Sequence, residues 1–208
     1  MRTAIKTLLA SVFLLLLAAP ASAKEVSYFA PAPQIRVGMQ LVKTRDLLPE
    51  DKQPPAARFT NATAGFHFDV DALTLSNLRI TIASGGIATP DKDYTWLLLG
   101  PAVFDISNYE EIAFRSDKAA PFVNGAATID GQLIIRGLAL PFKLEAKLRH
   151  IEDSPLGVGI FGSKGRTIGI SFRTEFECSD FGIVVKDDNA NVLGDKMTLT
   201  FDMFATRQ

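Results

Sequence analysis

The chain has 208 residues, of which 22 are Lys or Arg and 23 are Asp or Glu, so its formal net charge is −1. This length fits one ordinary domain or at most two small ones. The near-zero charge argues against a nucleic-acid-binding protein, which usually carries a concentrated basic surface. One Cys and two His exclude an intramolecular disulfide framework and leave too few ligands for a typical zinc site.

The first 23 residues have the features of an export signal. Arg2 and Lys6 precede an apolar run over 8–19, and an Ala-x-Ala processing site follows and ends at Ala23. The apolar run is shorter than the roughly 20 residues of a membrane-spanning helix. We therefore expect a signal peptide over 1–23 that is cleaved after Ala23. The mature chain, 24–208, is then expected in the periplasm and does not span the membrane.

Apolar and polar residues alternate with a period of two through most of the mature chain. This period predicts β-strands that have one apolar and one polar face. The eight alternating runs lie at 35–41, 66–70, 78–82, 110–117, 123–135, 142–148, 168–176 and 197–203. Polar or glycine-rich connections are expected over 46–57, 154–165 and 187–191. Eight strands with turns between them predict an all-β fold, either a closed antiparallel barrel or a sandwich.

One segment breaks this alternation and predicts a short helical insertion within 89–108. Thr89 has the chemistry of an N-cap, Pro90 suits the first helical position, and Asp91 places an acid in the first turn. Gly100 and the proline that follows it end the pattern. A second turn of helix is expected over 102–107.

The mature chain contains no recognisable catalytic or metal-binding motif. Gly157–Gly162 matches G-x-G-x-x-G, but antiparallel strands flank it and a phosphate-binding loop requires a helix start there. No partner can be named for His67 or His150. Cys178 is interpreted as a small buried residue, with an intermolecular disulfide or a reactive thiol as the alternatives. We expect no catalytic residue and no metal.

Several short motifs occur in the order that is typical of the YceI family of exported bacterial proteins. They are Arg58-Phe59-Thr60, Gly65–Asp69, Leu78–Ile82, Phe104–Tyr109, Ile112–Ser116, Gly131–Gly137, Ser179–Ile183 and Leu193–Thr200. The chain therefore resembles this family. The resemblance implies an eight-stranded, lipocalin-like antiparallel barrel that binds a polyisoprenoid lipid.

The chain departs from the family pattern at three places. Thr44 and Cys178 occupy positions where members usually have His and Arg, and the apolar stretch 94–99 replaces a charged one. Contacts that those charged residues make in other members are therefore not expected here, and the lipid headgroup can differ.

The resemblance implies that the apolar faces line a tunnel for one isoprenoid or other long-chain lipid, such as a quinone, with no other cofactor. Each buried CH₂ contributes about 0.8 kcal/mol, so one isoprene unit contributes on the order of 3–4 kcal/mol before ordering costs. The candidate lining residues are Phe66, Phe68, Leu78, Ile80, Phe114, Ile129, Leu133, Phe142, Leu144, Ile168, Ile170, Phe172, Leu199, Phe201 and Met203. The helix is expected to close or flank the mouth of the barrel through Tyr94, Trp96, Leu97 and Leu98.

The alternative is a non-catalytic periplasmic interaction or stress-response protein with a filled core. The apolar stretch 94–99, if exposed, would provide a surface for a partner or a homodimer. If it is buried, it simply packs against the barrel. An eight-stranded barrel can be filled by side chains or can hold one small ligand, so the alternation of residues is compatible with both functions. An enzyme is not expected.

Overall fold

The computed structural model describes residues 25–42, 56–153, 166–186 and 192–208. In these ranges the chain forms β-strands, one short α-helix and three 3-10 turns, the latter at Ala32–Gln34, Ser84–Gly86 and Cys178–Phe181. The helix α1 spans Lys92–Leu99. The strands are β1 (Val26–Ala30), β2 (Ile35–Val42), β3 (Ala57–Phe59), β4 (Ala62–Asp69), β5 (Thr74–Ala83), β6 (Ile87–Ala88), β7 (Glu111–Ser116), β8 (Ala120–Pro121), β9 (Ala126–Ile135), β10 (Leu138–Asp153), β11 (Arg166–Glu177), β12 (Val185–Lys186), β13 (Val192–Gly194) and β14 (Lys196–Arg207).

The described strands close into an eight-stranded antiparallel barrel. β1 and β2 form one wall strand that is interrupted by a 3-10 turn, because both lie between β14 and the continuous β3–β4 segment. From β4 the wall continues in chain order through β5, β7, β9, β10, β11 and β14, and β14 pairs again with β1 and β2. The predicted barrel is confirmed, and the sandwich alternative is wrong.

The eight predicted runs coincide with the principal wall strands. They fall on β2, β4, β5, β7, β9, β10, β11 and β14. The short strand β1 was not predicted, because its five residues give too little alternation to stand out from its surroundings. Its partners are β4 and β14, so its place in the wall depends on contacts that are distant in sequence.

The alternation along each strand divides an apolar interior from a polar exterior. In β14, Met197, Leu199, Phe201 and Met203 are buried, whereas Asp202 between them is exposed. Because successive side chains of a strand point to opposite faces, this pattern assigns the apolar set to the inside of the barrel. The buried apolar residues of all wall strands form one connected cluster.

α1 begins two residues later than the sequence pattern predicted. The side chain of Asp91 accepts hydrogen bonds from the backbone N–H groups of Asp93 and Tyr94, at 2.8 and 3.2 Å. Asp91 is therefore the N-cap, and the prediction of Thr89 is wrong. The hydroxyl of Thr89 instead lies 2.9 Å from that of Thr95. The backbone N–H groups of Asp93 and Tyr94 are bonded by Asp91 and not by Thr89.

The second helical turn that was predicted over 102–107 is absent. The N–H groups of Val103 and Asp105 both bond the carbonyl of Gly100, and that of Phe104 bonds the carbonyl of Leu98. These are turns and do not continue as a helix. Asp105 has a φ of 48°, a left-handed conformation that a right-handed helix does not accommodate.

Several predicted segments lie outside the described residues. They are the signal peptide over 1–23, the glycine-rich hairpin over 154–165, the polar turn over 187–191 and most of the loop over 46–57, whose last residue, Ala57, begins β3. Among the described residues, none of the helices combines the length and the hydropathy needed to cross a bilayer.

Candidate functional site

The candidate lining residues are brought together on the inner face of the barrel. Phe142 is half-buried and packs against the apolar cluster, and all the others are buried within it. Further aromatic members of the cluster were not singled out from the sequence. They are Tyr28, Phe59, Phe104, Phe122, Phe176 and Phe181. Most of these lie in short strands or turns, where the period-two signal is too short to use.

Among the described residues, the aromatic side chains of the interior contact one another in three groups, two at one end of the barrel and one towards the other. Phe59 and Phe104 have ring centroids 6.0 Å apart, and this pair lies at the end that carries α1, called here the helix end. Towards the other end, Phe68 lies 6.0 Å from Phe122, and Tyr28 stacks on Phe66 at 5.5 Å. The interior therefore offers a large, polarisable apolar surface along the length of the barrel.

α1 and the turns that follow it pack against the apolar cluster at the helix end. Leu98, Val103 and Phe104 are each at most 1% exposed and belong to the same apolar cluster as the wall. The four candidate mouth residues therefore separate into different environments. Leu98 is buried, Tyr94 and Leu97 are half-buried, and Trp96 is 69% exposed.

Two glycines of the Gly131–Gly137 motif have steric reasons to be glycine. A Cβ on Gly131 would lie 2.6 Å from the ring of Phe114, so this position provides the space that the inward-pointing ring occupies. Gly137 has a φ of 71°, a left-handed backbone conformation that residues with a Cβ rarely adopt. It also lies against the ring of Tyr109. The motif therefore shapes the wall and the β9–β10 turn.

Several buried polar groups of the described residues are bonded to the wall itself, whereas Oε1 of Gln34 is buried with no hydrogen-bond partner. The hydroxyl of Ser116 donates to the carbonyl of Asp130 at 2.6 Å, and that of Thr174 to the carbonyl of Lys143 at 3.3 Å. Asp69 is a buried carboxylate, and its Oδ1 accepts two backbone N–H groups in the β4–β5 turn. Among the described residues, the inner face is therefore largely apolar.

The helix end also contains two ionisable side chains, the half-buried Tyr94 and the buried Cys178. Burial raises the pKa of Tyr94 to about 12, with the neighbouring Cys178 as a further cause. Burial, followed by the nearby carboxylates of Asp195 and Glu177, raises the pKa of Cys178 to about 12. Cys178 is a free, buried thiol. A thiol with this pKa is protonated at neutral pH and is therefore a poor nucleophile.

The two histidines lie apart and outside the apolar interior. His67 Nδ1 is 3.6 Å from a carboxylate oxygen of Glu25, and both side chains are about two-fifths exposed, at 38% and 42%. His150 lies on the exposed face of β10. Within the described ranges, no group of three His, Cys, Asp or Glu side chains could hold a metal ion.

Comparison with known proteins identifies related sequences and folds. The family model of the YceI-like domain matches residues 50–205. A UPF0312 protein of Vibrio parahaemolyticus is 23% identical over 135 residues, which is 65% of this chain and 68% of the relative.

Two solved structures share the fold. The Campylobacter jejuni YCEI protein superposes with a TM-score of 0.65 at 18% identity, over 78% of this chain and 91% of its own. A polyisoprenoid binding domain from Saccharophagus degradans superposes with a TM-score of 0.57 at 10% identity, over 89% of this chain and all of its own. At these identities the structural likeness concerns the fold alone.

Proposed function

Because the chain belongs to the YceI-like family, whose model matches residues 50–205, we propose that it is an exported, non-catalytic protein that holds one isoprenoid-type lipid inside its barrel. The observation that carries the proposal is the continuous apolar inner face, on which the hydroxyls of Ser116 and Thr174 are bonded to the wall. The polyisoprenoid-binding domain that shares the fold supports the choice of lipid. The signal-like segment over 1–23 supports a periplasmic location.

An apolar inner face can bind such a lipid through the free energy of burying its CH₂ groups. Each buried CH₂ contributes about 0.8 kcal/mol, so several isoprene units give tight binding after the costs of association and ordering. No acid, base or metal is needed for this function. Phe and Met side chains line the interior, and Met adapts readily to the shape of a flexible chain.

The direct test is to identify what the protein carries. The full chain, exported through its own signal, is purified from the periplasm without detergent and extracted with organic solvent for mass spectrometry. We expect about one isoprenoid-type lipid per protein. Recovery of folded protein with no lipid, or with only membrane phospholipids, would contradict the proposal.

A space-filling substitution provides the matched variant for this test. Ala146 is a buried, inward-facing residue of β10 that lies opposite Phe172 and Ala127. Ala146→Phe should fill part of the interior and reduce the lipid content at least several-fold. Lys147→Gln changes the next residue, which points outward, and should leave the lipid content unchanged. Circular dichroism confirms that both variants fold.

A second candidate function rests on the exposed side chain of Trp96. A large aromatic side chain that is 69% exposed is typical of a contact surface for a partner or a second copy of the chain. Sedimentation of the wild-type protein and of Trp96→Ser tests this function. A change from dimer to monomer would support it, and a monomeric wild type that captures no partner would reject it.

A further inference from the structure

The barrel wall has an unpaired slit between β10 and β11 at the helix end. The two strands pair from Glu145–Arg173 to Asp153–Arg166. Towards the helix end, residues 138–144 of β10 pair with β9 and residues 174–177 of β11 pair with β14. No backbone ladder joins these two stretches to each other in the part of the chain that the structure describes. We call the gap between 138–144 and 174–177 the slit.

The inner side of the slit is apolar. Leu140 and Phe142 on β10 are half-buried against the apolar cluster. Phe176 on β11 is buried and packs edge-on against Phe181, with ring centroids 5.4 Å apart. Pro141 lies between the two β10 residues and has no N–H group with which to pair. The slit therefore leads directly to the apolar cluster.

The outer side of the slit is polar and open to solvent. Lys143 and Glu175 are exposed and would face each other if the ladder continued by two residues from Glu145–Arg173. Both line two adjoining surface depressions, of about 380 and 960 Å³. A ligand that approaches from outside therefore meets a recess at this point of the wall.

Two side-chain hydrogen bonds hold the ends of the slit. At the end of the slit next to the paired part of the ladder, Thr174 Oγ1 donates to the carbonyl of Lys143 at 3.3 Å. At the opposite end of the slit, Arg136 in the β9–β10 turn donates from Nη1 to the carbonyl of Gly182 at 2.7 Å. The Arg136 guanidinium also lies 5.9 Å from the ring centroid of Tyr109. Arg136 thus ties the β9–β10 turn to the segment that follows β11.

The alternative passage at the helix end would be harder to open. Leu98, Val103 and Phe104 are fully buried there and would all have to leave the apolar cluster. Opening the slit on its β10 side breaks two side-chain hydrogen bonds and moves Leu140 and Phe142, which are half-buried, whereas Phe176 on β11 is buried. Segments with few buried contacts and exposed hydrogen bonds open first in folded proteins.

We propose that the lipid enters and leaves the barrel sideways through the slit, and that Arg136 is the latch that limits its opening. This proposal rests on the proposed lipid-binding function. It assigns the slit residues a role in the rates of lipid exchange, since a latch changes uptake and release together and leaves the affinity nearly constant.

Cross-linking tests the passage. In a Cys178→Ala background, the pair Lys143→Cys and Glu175→Cys is bridged with a short bis-maleimide, and the reaction is verified by mass. The matched control bridges Glu145→Cys and Arg173→Cys, two residues along each strand, where the ladder is already formed. Uptake of a fluorescently labelled geranylgeranyl lipid from neutral phosphatidylcholine vesicles is then followed in time.

We expect the slit cross-link to slow uptake at least tenfold and the control cross-link to leave it unchanged. Equal uptake rates with and without the slit cross-link would overturn the sideways passage while leaving the lipid-binding function intact. A lack of uptake by every form, including the uncross-linked protein, would overturn the lipid-binding function and the passage with it.

Substitution of the latch provides the second measurement. Arg136→Gln should raise the rates of uptake and release of the same lipid several-fold and shift Kd by less than twofold. Arg149→Gln is the control, because Arg149 bonds Ser171 at 2.8 Å across a part of the wall that is already paired. A change in the release rate alone, which would shift Kd, or equal rates in the wild type and Arg136→Gln, would reject Arg136 as a latch.

Discussion

Cys178 and Tyr94 illustrate how single residues depend on their surroundings at the helix end. Both side chains lie where α1 meets the 3-10 turn after β11, and burial is the main cause that raises the pKa of each to about 12. A Cys in this environment stays protonated and behaves as a small apolar side chain. Cys178, at a position where the resemblance predicts an Arg, is thus part of the apolar cluster in this protein.

These pKa shifts predict a loss of stability at alkaline pH. The pKa of Cys178 rises from 9.0 to about 12 in the folded protein, so between these values the unfolded thiol is deprotonated while the folded thiol keeps its proton. The folded state then binds more protons, and raising the pH favours unfolding. The free energy of unfolding, measured in urea, should decline as the pH rises from about 9 to about 12.

Cys178→Ala is the variant that isolates this effect. It should flatten the decline in that pH range, although it also lowers the stability at neutral pH by removing a buried sulfur atom. Equal pH slopes in the wild type and Cys178→Ala would contradict the assignment.

At the scale of elements, α1 combines a buried side with an exposed one within eight residues. Leu98 is 0% exposed and Trp96 is 69% exposed. The apolar stretch 94–99 therefore combines the buried and the exposed arrangement that the sequence presented as alternatives. One side of the helix packs against the barrel, and the other presents an aromatic side chain to solvent.

The two sides of α1 should respond differently to substitution. Leu98→Ala should lower the free energy of unfolding by about 2–5 kcal/mol, because it leaves a cavity in the apolar cluster. Trp96→Ser should change it by less than about 0.5 kcal/mol, since the indole ring is largely in solvent. Thermal and urea denaturation of both variants check this prediction. Similar losses in the two variants would show that the indole ring packs against the barrel.

At the scale of the whole molecule, the barrel is an up-and-down sheet whose closure joins the first and last strands. β14 pairs with β11 on one edge and with β1 and β2 on the other. Closure removes the free edges of the sheet and encloses the apolar faces. The slit between β10 and β11 is an interruption in this wall, and it lies next to partly exposed apolar side chains.

Removal of the proposed lipid should destabilise the whole molecule. A ligand that binds only the folded state adds about 2.7 kcal/mol when its free concentration is about 100 times Kd. Protein stripped of lipid by organic extraction and refolding should therefore have a Tm several degrees below that of the loaded protein. Reloading with the geranylgeranyl lipid should restore the Tm. Equal Tm values for the loaded and stripped forms would contradict binding inside the barrel.

The sequence by itself determined the class of fold and the inward set of side chains. Runs such as Phe142–Leu148 and Met197–Met203 alternate with period two, and this local property follows from the geometry of a strand regardless of its neighbours. The order of motifs indicated the family that the family model also matches. The helical insertion was also predictable, although its N-cap was placed at Thr89 and lies at Asp91.

The tertiary structure alone decided where α1 packs on the barrel, where the wall is unpaired and which side of α1 is exposed. Leu98 and Trp96 are two residues apart in a largely apolar stretch, and only the position of the barrel beneath the helix separates them. The slit depends on which parts of β10 and β11 remain paired, and pairing between strands is set by neighbours from elsewhere in the chain. Such properties arise from contacts between segments that are distant in sequence, and local periodicity does not predict those contacts.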